Sequence, residues 1–297
     1  MTGGRLVLVT TIVASAACAD AGVWQEPGGG STSACTVASP IARIDGAGEA
    51  SGAVASRRTP GVVWTHNDSG EPILIAVDTR GAVIGRVRVT GAQVDDWEDL
   101  AIGPCPQGTC VYIGDIGDNR GRRDRITVYR VPEPSPDMTA TPPAEAFHAA
   151  YPDGAHDAES LFVTPEARLF AITKGDPGPV ALYRFPHPLQ SVSVMRLERV
   201  GAPLGEGNVA RHDRPTGADT SSDGRWVAVR TIAWLAFYRT ADLTSGQWRA
   251  AARADLSGVG ERRGEGVAFG PDGTVFLVGE GGRDGGTFAR LRCTLPQ

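Results

Sequence analysis

Five times along the chain an acidic residue leads into a short apolar stretch, which a turn joins to a second stretch centred on an aromatic residue. The acidic starts read Glu49-Ala-Ser-Gly-Ala-Val, Glu98-Asp-Leu-Ala-Ile, Glu159-Ser-Leu-Phe-Val, Asp219-Thr-Ser-Ser and Glu265-Gly-Val-Ala-Phe. The aromatics are Trp64, Tyr112, Phe170, Trp226 and Phe276. A third stretch carries Tyr129-Arg130, Tyr183-Arg184 and Tyr238-Arg239, with Arg290 in the corresponding last run. A unit of roughly 45 to 60 residues with three or four short strands cannot bury its apolar faces alone, so it stacks against further copies. Long 3.6-residue periodicity is missing, which excludes helical solenoids. The recurrence predicts an all-β chain: a β-propeller of five blades, each of four antiparallel strands. Six blades would follow if residues 130–151 held another strand pair, but the prolines from Pro132 to Pro143 read as a loop and one strand.

The first blade is expected over residues 50–94, with strands at 50–56, 62–65, 73–77 and 83–89. Further blades fall at 95–154, 155–213 and 214–262, and the last takes 263–294 together with an N-terminal strand at 36–45. Ser222-Asp-Gly-Arg225 and Gly270-Pro-Asp-Gly273 supply tight reversals between first and second strands.

Ahead of the propeller, assigned to 35–297, residues 1–19 read as an export signal: Arg5, an apolar run from Leu6 to Val13, then Ala14-Ser15-Ala16-Ala17 before Cys18. The run is too short to span a bilayer. Small residues before Cys18 are those of a lipidation site, with ordinary cleavage near Ala17 or Ala19 as the alternative. Residues 20–34, with Gly28-Gly29-Gly30-Ser31-Thr32-Ser33, form a flexible linker. The expected location is secreted or anchored in the cell envelope, any membrane attachment passing through Cys18, and the expected state is a monomer.

Export permits disulfides. Of the three pairings open to the remaining four cysteines, one fits the strand order. Cys105 and Cys110 bracket a turn. Cys35 starts the N-terminal strand and Cys293 ends the antiparallel strand beside it, so Cys35–Cys293 would lock the ring. Free buried thiols are the alternative.

In a propeller the start of each innermost strand and the loop after each second strand open on one face. Glu49, Glu98, Glu159, Asp219 and Glu265 are therefore expected around the central channel. His66, Asp68, Asp115, Asp118, Asn119, Lys174, Arg230 and Glu280 lie in the neighbouring loops as ligand-binding candidates. Carboxylates around one axis repel unless paired, protonated or bridged by a cation. An all-oxygen set suits Ca²⁺ rather than zinc. Lys174 is the only lysine in the chain. A net charge of -5 argues against a nucleic-acid partner, which requires a basic face. Neither an EF-hand spacing around Asp115 and Asp118 nor a Gly-x-Ser-x-Gly elbow occurs.

The strings Asp96-Trp-Glu-Asp-Leu-Ala-Ile102 and Tyr112-Ile-Gly-Asp-Ile-Gly-Asp-Asn119 resemble secreted β-propeller proteins of unassigned function from bacteria with Arg-rich proteomes. The repeated Glu-x-Leu/Val-x-hydrophobic starts are similar to those of esterase-like phytase propellers and of five-bladed calcium-activated nucleotidases. By that resemblance Glu49, Glu98, Glu159, Asp219 and Glu265 correspond to carboxylates around an axial calcium. The nucleotide-contacting segments of those enzymes have no counterpart in this chain. Three functions follow as expectations. The first is an exported module binding a small molecule or protein at the open face, with a calcium-type cation in the channel. The second is a metal-dependent hydrolase of phosphoesters or lactone-like esters, and the third an envelope scaffold.

Overall fold

A computed structural model describes residues 1, 34–202 and 207–296. The expected export signal and linker lie outside the described residues apart from Met1 and Ala34. The rest folds as five sheets around one axis. The N-terminal strand β1 (Cys35–Ile44) is followed by the first blade, β2 (Ala50–Ala55), β3 (Val62–Asn67), β4 (Ile73–Asp78) and β5 (Val83–Arg88). The second blade contains β6 (Trp97–Cys105), β7 (Gly108–Asp115), β8 (Ile126–Pro132) and β9 (Glu145–Ala150). In the third, β10 (Ala158–Val163), β11 (Leu169–Thr173) and β12 (Leu182–Arg184) precede β13 (Met195–Arg196) and β14 (Glu198–Gly201). The fourth is β15 (Pro215–Thr220), β16 (Trp226–Thr231), β17 (Trp234–Arg239) and β18 (Ala250–Asp255). Finally β19 (Arg263–Phe269), β20 (Thr274–Glu280) and β21 (Gly286–Cys293) are completed by β1, in the order β1-β21-β20-β19. The molecule is thus a five-bladed β-propeller. Residues 130–151 contribute the end of β8, a loop and the strand β9, which settles the blade number. The short β13 leaves the third blade and pairs in parallel with β9 of the second.

The repeat seen in the sequence has a packing cause. Trp64, Tyr112, Phe170, Trp226 and Phe276 all sit on second strands and are buried between blades. In four blades the residue opposite this aromatic on the third strand is an arginine: Tyr112 faces Arg130, Phe170 faces Arg184, Trp226 faces Arg239 and Phe276 faces Arg290. The Arg239 guanidinium lies 4.0 Å from the Trp226 ring centre, a cation–π contact that shields the aromatic edge of the blade. Closure follows the expected register: Cys35 stands opposite Cys293 and the two are bonded, while Cys105–Cys110 staples the β6–β7 turn. Both bonds agree with an oxidising compartment. Among the described residues, no helix is long and apolar enough to cross a membrane.

The innermost strands β2, β6, β10, β15 and β19 pack against one another around the axis. Space there is scarce. A Cβ on Gly52 would lie 2.4 Å from the Leu100 nitrogen, one on Gly217 2.8 Å from the Glu265 carbonyl, and one on Gly266 2.4 Å from the Ser51 carbonyl. Asp99 is buried beside the first of these glycines, a Cβ on Gly52 lying 2.6 Å from the Asp99 Cα. Its buried carboxylate accepts hydrogen bonds from the N–H groups of Leu100 (2.8 Å), Leu161 (2.8 Å) and Ala218 (2.9 Å), so it ties β6, β10 and β15 together.

Candidate cation site at the channel mouth

Every innermost strand has a bulge just after its start, where its pairing with the second strand slips. The slip falls between Ala50 and Ala53, Trp97 and Asp99, Ala158 and Ser160, Pro215 and Gly217, and Gly264 and Val267. Bulges re-aim side chains. The first residue inside each bulge is Ser51, Glu98, Glu159, Thr216 and Glu265, and these five are the equivalent positions around the mouth. The equivalence is supported by hydrogen bonding: the Ser51 hydroxyl donates to the Glu98 carbonyl at 2.6 Å, and the Thr216 hydroxyl to the Glu265 carbonyl at 2.9 Å.

Two of the expected cation ligands stand at other positions in this register. Asp219 lies beyond Thr216, deep in the channel, where its carboxylate accepts the N–H groups of Thr220 (2.8 Å) and Phe269 (2.7 Å). Glu49 precedes Ser51 and stands exposed at the rim, accepting from the Ser69 hydroxyl. Glu98, Glu159 and Glu265 do gather at the mouth.

The residue two places before each bulge position forms an outer ring: Glu49, Asp96, Asp157, Arg214 and Arg263. The mouth is consequently polarised, with acids on the second and third blades and arginines on the fourth and fifth. Ligand oxygens of Glu98, Asp157 and Glu159, all buried, lie within 4.8 Å of one another. The only lysine sits among them. Lys174 Nζ pairs with Glu159 Oε1, lies 3.3 Å from Asp157 Oδ2, and reaches Asn119 Oδ1 at 3.3 Å. Arg263 pairs with Glu265 at 2.7 Å and Glu280 at 2.8 Å.

Burial, with the charges of Glu159, Asp96 and Asp157 adding to it, holds the Glu98 carboxyl well above the usual carboxylate range. Burial and Glu159 push Glu265 up to about 8. At the rim, burial together with Glu49 and Glu280 lifts Asp68 to about 7. Lys174 is shifted upward by the charges of Glu159 and Asp157, which outweigh its own desolvation, so the ammonium keeps its proton.

The remaining candidates serve the scaffold. Burial lowers His66 to about 4, and both its nitrogens are engaged: Nε2 accepts from the Gly52 N–H at 3.2 Å while Nδ1 meets the Asn67 carbonyl at 2.9 Å. Arg230 is buried, donating to the carbonyls of Gly266 (2.8 Å) and Val278 (2.9 Å) and pairing with Glu261. Asp115 accepts from the N–H groups of Asp95 and Asp96 and pairs with Arg123 at 2.8 Å. Asp118 accepts from the Arg123 N–H, and its own N–H binds Asp157 Oδ1 at 2.7 Å, which steers the other Asp157 oxygen.

Asp157, Asp96, Arg263 and Asp99 were not singled out by sequence reasoning. The signal for the first three was the period of two along a strand. Asp157, Asp96 and Arg263 each stand two residues before a marked glutamate.

The residues fit a hard divalent cation. The donors are all oxygen. Asp157 Oδ2 is buried and makes no hydrogen bond, its one contact being the ion pair with Lys174. Gly117 leaves a cradle: a Cβ there would lie 2.3 Å from Glu98 Oε1 and 2.5 Å from Asp96 Oδ2.

No protein-family model and no curated protein sequence matches the chain. Solved structures with a similar arrangement include a gluconolactonase from Xanthomonas campestris, at 12% identity and TM-score 0.48 over 84% of this chain and 74% of that one. A luciferin-regenerating enzyme matches at 14% identity and TM-score 0.45, covering 82% of this chain and 77% of its own. A streptogramin B lyase matches at 11% and 0.42, covering 86% and 97%. At these values nothing about chemistry transfers.

Proposed function

We propose that the chain is an exported binding module whose channel mouth takes up a divalent cation of the calcium type, the cation in turn receiving oxygen atoms of a small-molecule or protein ligand. The observation that carries this reading is the convergence of Glu98, Asp157 and Glu159, buried, with ligand oxygens within 4.8 Å of one another. Three carboxylates facing one lysine leave net negative charge in a desolvated place, and a second cation relieves it. Lanthanides or calcium should bind with release of protons, since burial raises the Glu98 carboxyl and lifts that of Glu265 to about 8. Calcium at about a hundred times its Kd contributes ~2.7 kcal/mol to stability. Differential scanning calorimetry with and without calcium tests this, and Glu159→Gln should reduce the stabilisation. Unchanged melting at millimolar calcium would overturn the reading.

A second reading is supported by the Glu265 carboxyl at about 8, which can hold or give up a proton beside the cation. A bound cation supplies polarisation of a substrate oxygen. Glu265 then serves as proton donor and Lys174 as the charge opposing a developing anion, which defines a hydrolase of phosphoesters or lactone-like esters. Assay of nucleotides, phosphoesters and lactones with calcium present separates the two. Turnover abolished by Glu265→Gln, with calcium binding retained, would establish the hydrolase.

A further inference from the structure

We propose that Lys174 is a tethered counter-ion that exchanges with the divalent cation: its ammonium offsets part of the charge of the cluster, at Glu159 and Asp157, when the metal is away and swings to the rim when the metal arrives. The inference rests on the cation-site reading above and adds a switch to it.

The ammonium and a metal compete for the same lone pairs. Lys174 Nζ touches Glu159 Oε1 and approaches Asp157 Oδ2 at 3.3 Å, two of the three groups whose oxygens converge. Buried carboxylates cannot stay ionised without countercharge. Lysine supplies one positive charge from within the chain, so the fold does not depend on metal for all of its countercharge.

The root of the side chain is fixed, and its end is held only by polar contacts. The Lys174 N–H donates to the Asp157 carbonyl at 2.8 Å, which anchors the residue to the strand start it neutralises. Beyond Cα a four-carbon stem carries a compact ammonium. An outward position is already partly engaged: Asn119 Oδ1 lies 3.3 Å from Nζ and Asn119 is exposed, while at the rim burial and Asp157 raise the Asp96 carboxyl against the opposing charges of Arg123 and Lys174. A guanidinium would grip a carboxylate with two parallel hydrogen bonds and resist this exchange. The chain places arginine at every other basic position and lysine at this one.

Because Lys174 is the only lysine, growth on lysine labelled with carbon-13 at Cε gives a single labelled side chain. In the calcium-free wild-type protein its resonance should be that of an immobilised ammonium. Titration with calcium should convert it to the narrow line of a mobile lysine, with the same midpoint as calcium binding followed by calorimetry. Lys174→Gln should bind calcium about tenfold more tightly than wild type, because no internal cation has to be displaced. Calcium binding that leaves the lysine resonance unmoved overturns the exchange and spares the cation site. Binding confined to Lys174→Gln overturns it too, making the lysine a permanent occupant. Absence of binding in both proteins overturns the cation site itself.

Discussion

At the scale of single residues, Asp99 is the side chain on which the centre of the molecule depends. Its two oxygens take three backbone N–H groups from three blades. Asp99→Ala is expected to cost about 3 kcal/mol or more in urea denaturation, since each buried donor left without an acceptor costs about 1–3 kcal/mol. Loss of less than about 1 kcal/mol would show that the strands close up without it. Other buried acids set the pH response. Burial raises Asp219 from 3.8 to about 7 and Glu265 from 4.5 to about 8. Between the unfolded and folded values the folded chain holds protons that the unfolded chain has released, so their contribution is greatest below the unfolded values and is lost as pH rises. Calcium-free protein should therefore melt at progressively lower temperature between about pH 5 and pH 8, and Asp219→Asn should flatten that slope. A melting temperature that climbs through this interval would contradict the assignment.

At the scale of the strand, the bulges decide where the carboxylates point, and the axis decides which residues can stand beside them. Gly266 follows Glu265, and a Cβ at that position meets the Ser51 carbonyl at 2.4 Å, a backbone atom that cannot rotate aside. Gly266→Ala is expected to cost about 2 kcal/mol, with a matching fall in melting temperature and weakened calcium binding, because β19 must shift to accommodate it. Strand positions were legible in the sequence because turn residues and aromatics punctuate every hairpin. The expected strands at 62–65 and 73–77 differ from β3 and β4 only at their ends. Bulge register was less legible. It depends on how two strands pair, whereas the sequence shows only that acids recur, so Glu49 and Asp219 looked like counterparts of Glu98 and were not. Ser51 and Thr216 occupy those positions without any acidic mark. Asp157 was hidden differently, in a loop-like string, since the Lys174 that reveals it comes from the next strand.

At the scale of the whole molecule, ring closure rests on β1 and on Cys35–Cys293, separated by 258 residues in sequence. In the chain-entropy account, closing a loop of that length contributes on the order of 5 kcal/mol, while the short Cys105–Cys110 loop contributes about 2 kcal/mol. Cys293→Ser should consequently lower the melting temperature further than Cys110→Ser. The reverse order would mean that β1 holds through its hydrogen bonds alone. The same closure fixes an orientation. Cys35 lies beside Cys293 and the β19–β20 turn, at the end of the propeller away from Glu98, Asp157 and Glu159. Were the chain anchored ahead of residue 34, as the sequence leads one to expect, the tether would enter at that opposite end, like a stalk under a lamp. The acidic mouth would then be the end farther from the tether, and a ligand could reach it from open solution.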